Sequence, residues 1–261
     1  MLPGVRAPNP PSTLEGYDQS LFSVVAEVER TSFWYGSRSE LIAWALHRHF
    51  PRAGTLLEVG CGTGVVLETL HRRFPALQVS GSDLFPQALE HARRLVPTAT
   101  LAEVDARALT YESQFDVTCA FDVLEHVNED DVVLAGMMRA TASGGGLVVT
   151  VPQHRWLWGP MDELAHHVRR YRRGDLLDKI RRAGFRIEFV TSFVSLLLPA
   201  MAATRVRLRL RPGPVDLAAQ LVPGRGLNTV LRRVMDLERG LIGRGVRFPV
   251  GGSLLVVARK L

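Results

Sequence analysis

The sequence predicts an α/β protein built on a mostly parallel sheet of seven strands flanked by helices, with an N-terminal helical cap and a late insertion. Three observations carry that prediction. Apolar runs short enough for buried strands recur along the chain, helical patterns separate them, and the first run ends in glycines. Alternating strand and helix specify a parallel sheet, because each parallel connection needs a crossover to bring the chain back. At 261 residues and 46% hydrophobic content the chain can bury a full core, and one elaborated domain is the expectation.

In chain order, residues 1–16 (MLPGVRAPNPPSTLEG) place Pro and Gly where a secretory signal needs a charged start and an apolar stretch, and are expected to form a disordered leader. Residues 17–52 form the cap, with helical spacing in SELIAWALHRHF (39–50). The core comprises 53–191 with 252–261. Its strands are TLLEVG (55–60), LQVSGS (77–82), TLAEVD (100–105), FDVTCAF (115–121), GLVVTV (146–151), FRIEFV (185–190) and GSLLVVARK (252–260). Helical spacing marks VVLETLHRRF (65–74) and PQALEHARRLV (86–96), the second with Pro86 in its first turn. DLLDKIRRAG (175–184) reads as a helix from an Asp175 N-cap to Gly184, a natural residue for the position after a helix.

Residues 192–251 are too many for an ordinary connection and predict a subdomain: a lid, an oligomer arm or a membrane contact. Within it RVRLRLR (205–211) alternates strictly, which suits a strand but scatters its arginines around a helix, so its secondary structure stays open. The chain's net charge is +6, and ten arginines against three acids fall within 193–250. That concentration suggests peripheral contact with an anionic membrane face through 189–211, or simply an arginine-rich composition. The uncharged run 189–204 would reach about 24 Å as a helix, short of the roughly 30 Å hydrocarbon core, and is not expected to span a membrane. Cys61 and Cys119 make no disulfide framework, so a reducing cytoplasm is the expected location.

The glycines of LLEVGCGTG (56–64) decide the cofactor class. A dinucleotide fingerprint needs its third glycine at 65, and that residue is Val65. The run is G-x-G-x-G, with Glu58 two residues before the first glycine. A carboxylate there repels a pyrophosphate and welcomes an ammonium group, which S-adenosylmethionine carries alongside its ribose and adenine.

At these residues the chain resembles the class I S-adenosylmethionine-dependent methyltransferases, over roughly 33–260. EVGCGTG is similar to their first motif, Asp83 in SGSDLFPQAL to the acid closing the second strand, Asp105-Ala106 to the adenine contact, and FDVLEHV (121–127) to the fourth-strand motif. The resemblance implies a Rossmann-like sheet and places cofactor contacts on Glu58, Gly60, Cys61, Gly62, Gly64, Asp83, Leu84, Asp105, Ala106 and Phe121. Details look closer to one bacterial branch with F-W-x-x-x-R, V-P-x-x-x-W-L-W and H-x-R-R-Y, here Phe33-Trp34 with Arg38, Val151-Pro152 with Trp156-Leu157-Trp158, and His167 through Tyr171.

The fourth-strand motif also supplies the candidates for chemistry. Glu125, His126 and His167 are the expected catalytic residues, since an imidazole is largely neutral at pH 7 and suited to take a proton. The spacing D-x-x-E-H is similar to the E-x-x-E-H metal motif of some O-methyltransferases, which makes Asp122, Glu125, His126 and His167 a candidate ligand set for a divalent metal that would lower an acceptor's pKa. Tyr17, Tyr35, Trp156 and Trp158 are candidates to wall an acceptor pocket.

The expected activity is O-methylation of a small-molecule acceptor. Alternatives are a lipid-linked acceptor, RNA, or a non-catalytic cofactor-binding scaffold or sensor. No RRM, KH or other RNA module is recognisable, so nucleic acid is not the expected partner. A homodimer through the insertion stays open.

Overall fold

The computed structural model describes residues 21–210 and 223–261. The expected leader at 1–16, Tyr17 and the part of the insertion at 211–222 lie outside the described residues. Nine α-helices and seven strands are described: α1 (Leu21–Thr31), α2 (Phe33–His49), β1 (Thr55–Val59), α3 (Val65–Arg73), β2 (Gln78–Asp83), α4 (Pro86–Leu95), β3 (Thr100–Glu103), β4 (Phe115–Phe121), α5 (Asp130–Ala140), β5 (Thr141–Pro152), α6 (Pro160–Leu164), α7 (Arg173–Arg182), β6 (Phe185–Phe193), α8 (Leu198–Leu210), α9 (Arg225–Gly243) and β7 (Ser253–Lys260).

All seven strands join one sheet in the order β3-β2-β1-β4-β5-β7-β6. Pairs among the first five are parallel, and β7 runs antiparallel between β5 and β6. The order reverses between β1 and β4, where connections leave in opposite directions and open a crevice at the carboxyl ends of the strands. Alternation along β1 splits the core: Leu56 faces a layer with Leu41 and Ile42 of α2, Leu67 and Leu70 of α3 and Met235 and Ile242 of α9, whereas Leu57 faces Leu134 and Met137 of α5 and Leu176 and Ile180 of α7. Both cysteines are free and buried.

Two helix starts differ from the sequence reading. Helix α2 begins at Phe33, because the Ser32 hydroxyl accepts the Trp34 N–H and caps it there. Helix α7 begins at Arg173, with Asp175 inside the first turn, where its charge favours the helix N-terminus without capping it. Gly184 follows that helix at φ +105, as expected of its terminating residue.

Among the described residues, the late insertion contributes two helices. The alternating arginine run belongs to α8 as far as Leu210, and Arg211 lies outside the described residues. Residues 189–193 are buried in β6, which removes them from any surface patch at 189–211. The insertion is tied to the cap: Asn228 of α9 accepts the Phe33 N–H at 2.8 Å and donates to the Thr31 carbonyl at 2.9 Å. Glu238 of α9 accepts the N–H groups of Ser195 and Leu196, at 2.8 and 2.7 Å, and so fixes the turn into α8. Among the described residues no helix is long and apolar enough to cross a membrane.

Candidate active site

The turn after β1 is held from behind by β2. Gly60 and Cys61 donate their N–H groups to the Ser82 carbonyl at 2.7 and 2.9 Å, and Gly62 donates to Asp83 Oδ2 at 2.8 Å. Gly60, Gly62 and Gly64 all have positive φ, in the region that side chains with a Cβ avoid. Gly64 also lies where a Cβ would stand 2.8 Å from the Ala92 Cα of α4, so it lets α3 and α4 meet. At Gly62 nothing lies within 4 Å of that position. Cys61 contributes backbone here; its buried sulfur packs against Gly81 of β2.

Asp83 ends β2 and is nearly buried. Its second oxygen accepts the Phe85 N–H at 3.0 Å, and with the Leu84 N–H also bonding the carboxylate, backbone donors fill three of its roughly four lone-pair sites. Burial raises its pKa against those hydrogen bonds. Leu84 follows in the turn to α4. Asp105 caps the short turn Ala106–Ala108, and its carboxylate is gripped by the Arg107 guanidinium, at 2.6 Å for the shortest contact. Those bonds hold Asp105 below the usual carboxylate range. Phe121 closes β4 and is buried in the core layer with Leu56.

Glu58 on β1 is fully buried, and its Oε2 has no hydrogen-bond partner. Burial pushes its pKa up to about 8, Arg38 draws it down, and Glu29 and Asp83 add repulsion. Glu29 of α1 accepts a hydrogen bond from Thr63 in the glycine turn, which brings the cap over that turn. Arg38 of α2 pairs with Asp122 and lies over the rings of Trp34 and Tyr35. Burial opposes its charge, but Asp122, Tyr35 and Glu29 outweigh that effect and raise its pKa. Glu29, Glu58 and Asp83 thus leave the crevice rich in carboxylates, a setting that suits a cationic ligand.

A second group lies beyond β4. Glu125, His126 and His167 each offer a ligand atom within 4.8 Å of the others. Glu125 is fully buried with neither oxygen partnered, and burial, with Asp122 adding repulsion, pushes its pKa well above the carboxylate range. The two imidazoles meet edge to face, centroids 4.7 Å apart. Asp122 does not join them: at φ +56 it turns its carboxylate to Arg38 instead. A metal at this site would therefore draw on Glu125, His126 and His167, whose unpartnered carboxylate and two nitrogens suit a borderline divalent ion such as Mn²⁺ or Zn²⁺. Burial, with the neighbouring His167, lowers the pKa of His126 to about 4, which makes it a poor proton acceptor at pH 7.

Among the described residues, the three proposed aromatic walls have separate surroundings. Tyr35 packs edge-on against Trp34 at 4.8 Å, Trp156 is exposed and stacks on His154, and Trp158 lines a separate surface cavity of about 600 Å³ with Arg155, Arg169 and Lys179. The sequence reading gave no role to Glu29, Thr63, Arg38 or Asp162, because their importance comes from partners distant in sequence.

Residues 56–145 match a family model described as a methyltransferase domain. The dTDP-3-amino-3,6-dideoxy-alpha-D-glucopyranose N,N-dimethyltransferase of Streptomyces fradiae is 35% identical over 114 residues, 42% of this chain and 44% of that protein. The trans-aconitate 2-methyltransferase of Methylobacterium nodulans is 30% identical over 115 residues, 44% of this chain and 42% of that protein. The chain thus spans less than half the length of these curated relatives. Among solved structures, the [4+2]-cyclase SpnF superposes with a TM-score of 0.63 at 20% identity, covering 97% of this chain and 98% of that one.

Proposed function

We propose that this chain, whose core belongs by fold to the class I S-adenosylmethionine-dependent methyltransferases, moves a methyl group from S-adenosylmethionine to an oxygen of a small-molecule acceptor. The observation that carries this reading is Glu58, a fully buried carboxylate with an unpartnered oxygen beside a turn of three positive-φ glycines. Such a group costs stability unless a cationic ligand pairs with it. A phosphate-bearing dinucleotide would meet repulsion there. The fold alone does not decide the chemistry, since SpnF shares it and is a cyclase.

When bound, adenosylmethionine supplies a methyl group already made electrophilic by its sulfonium. The chain's own residues then have three tasks. Glu58 holds the ammonium, and the open face at Gly62 lets the cofactor approach the backbone. The remaining accepting capacity of Asp83 takes a ribose hydroxyl, while Leu84, Asp105 and Ala106 border the adenine. An acceptor hydroxyl must also lose its proton as it attacks. His126, with a pKa of about 4, has little affinity for a proton at pH 7, and His167, whose Nε2 faces Glu125, is the base in this reading.

A metal-assisted version of the same reaction is favoured by the orphaned carboxylate of Glu125 between two imidazoles. Glu125, His126 and His167 would hold the ion, which would lower the acceptor's pKa.

A lipid-linked acceptor is the second reading, favoured by α9. Leu227, Val230 and Leu237 are each more than half exposed, and with Val234 and Leu241 they form one helical stripe beside the exposed Arg233 and Arg244.

The test uses purified protein, methyl-labelled S-adenosylmethionine, and source-cell extract split into soluble and membrane fractions, each with and without EDTA. Label in a soluble small molecule supports the first reading, and label in lipid supports the second. Loss of transfer in EDTA supports the metal. Bound cofactor with no transfer in any fraction counts against catalysis and for a scaffold.

A further inference from the structure

We infer that Asp162 is a positioning residue that, backed by Arg170, holds His167 with its proton on Nδ1 and a bare Nε2 turned toward Glu125. The inference rests on the proposed reading only for what that bare nitrogen does.

Asp162 lies in the short helix α6 and is completely buried, yet both its oxygens are engaged. Oδ2 accepts the Gly159 N–H at 2.9 Å, while Oδ1 faces His167 Nδ1 at 2.8 Å and accepts Arg170 Nε at 2.7 Å. An ionised carboxylate only accepts hydrogen bonds, so the imidazole nitrogen facing it must carry the proton. The carboxylate is ionised, because its Oδ1 is paired at 2.7 Å with the buried guanidinium of Arg170, a permanent cation that only donates. Arg170 is itself fixed, with a second guanidinium bond to the Gln153 carbonyl at 3.2 Å.

In a neutral imidazole a proton on Nδ1 leaves Nε2 with a lone pair. That nitrogen lies 4.0 Å from Glu125 Oε1, beyond hydrogen-bond range, beside a carboxylate with no partner. Free histidine in water prefers the opposite tautomer, so Asp162 selects the form that can accept a proton or bind an ion. The backbone reinforces the placement: the His167 N–H donates to the Asp162 carbonyl at 2.9 Å, and the Val168 N–H to the Glu125 carbonyl at 2.8 Å. His166, at φ +53, makes the turn that aims the next side chain inward. The D-E-x-x-H-H-x-R-R-Y run at 162–171 is thus one device in which Asp162, His167 and Arg170 share a carboxylate oxygen. Purely structural capping of α6 by Asp162 would need only its bond to Gly159.

The tautomer is read directly from nitrogen-15 histidine spectra of the full chain at pH 8, with His167 assigned by its loss in H167Q. Wild type should show His167 protonated at Nδ1 and bare at Nε2. Asp162→Ala should move at least half of the population to the Nε2-protonated form, and Asp162→Glu should restore the wild-type pattern. Wild-type His167 protonated at Nε2 would overturn the inference even if no variant folds, and so would an alanine variant that keeps the Nδ1 proton. In the extract fraction that accepts label, Asp162→Ala should lower kcat about tenfold or more while leaving cofactor affinity unchanged. Undiminished turnover with a switched tautomer would overturn the base role of His167 and leave the positioning intact.

Discussion

Arg38 of α2 pairs its buried guanidinium with Asp122, the residue that leaves β4 at φ +56. The pair locks the helical cap to the carboxyl edge of the sheet and places the positive charge among Glu29, Glu58 and Glu125.

Removing that charge should be costly. Arg38→Ala leaves Asp122 unpaired, and breaking a buried pair from one side costs about 3 kcal/mol or more. Urea unfolding should show that loss, and Arg38→Ala with Asp122→Ala should be less destabilised than the two single changes added together. Additive effects would mean that the pair is not energetically coupled.

Glu58 gives the stability a pH dependence of unusual sign. It titrates near 4.5 unfolded and at about 8 folded, so between those values the unfolded state has released a proton that the folded state keeps. Its contribution therefore falls as pH rises through that window. Without ligand, Glu58→Gln should be more stable than wild type at pH 8, with the difference shrinking toward pH 5. Equal unfolding midpoints across that range would show that Glu58 ionises freely.

His126 acts in the other direction. Its pKa is 6.5 unfolded and about 4 folded, so the unfolded state binds more protons between these values, and its contribution to stability is lost as pH falls below 6.5. Its ring proton resonances should hold steady from pH 7 to pH 5 and move only near pH 4. A midpoint near 6.5 would mean that the ring is solvated.

Two glycines separate packing from ligand access. Gly64→Ala sets a methyl against the backbone of α4 and should cost about 2 kcal/mol or more. Gly62→Ala meets open space and should cost only the roughly 1–2 kcal/mol of left-handed backbone, while weakening adenosylmethionine binding at least tenfold. Thermal unfolding and calorimetry distinguish the two, and full affinity in the Gly62 variant would move the cofactor away from this turn.

The sheet was legible because period-2 and period-3.6 patterns are local: every strand core from 55–59 to 253–260 was visible as an apolar run. Helix starts were less legible, since Ser32 caps α2 through its own conformation and nothing in RVRLRLR alone prefers helix over strand. Glycine spacing and the position of Glu58 pointed to the turn after β1, where the structure has three positive-φ glycines and a buried carboxylate. What the sequence hid was long-range pairing. Asp122 was grouped with Glu125 and His126 by spacing, yet the pull of Arg38 from the cap takes it out of that cluster. Asp162 gave no signal, because its role depends on a five-residue turn that folds His167 back onto it.

The central claim is that Glu58 waits for a cation, and titration calorimetry of S-adenosylmethionine into wild type and Glu58→Gln tests it most directly. The account predicts single-site binding to wild type with release of a proton at pH 7, seen as a dependence of the heat on buffer ionisation. In Glu58→Gln it predicts at least tenfold weaker binding and no proton release. Equal affinity in the two proteins, or no binding to a folded wild type, would contradict it.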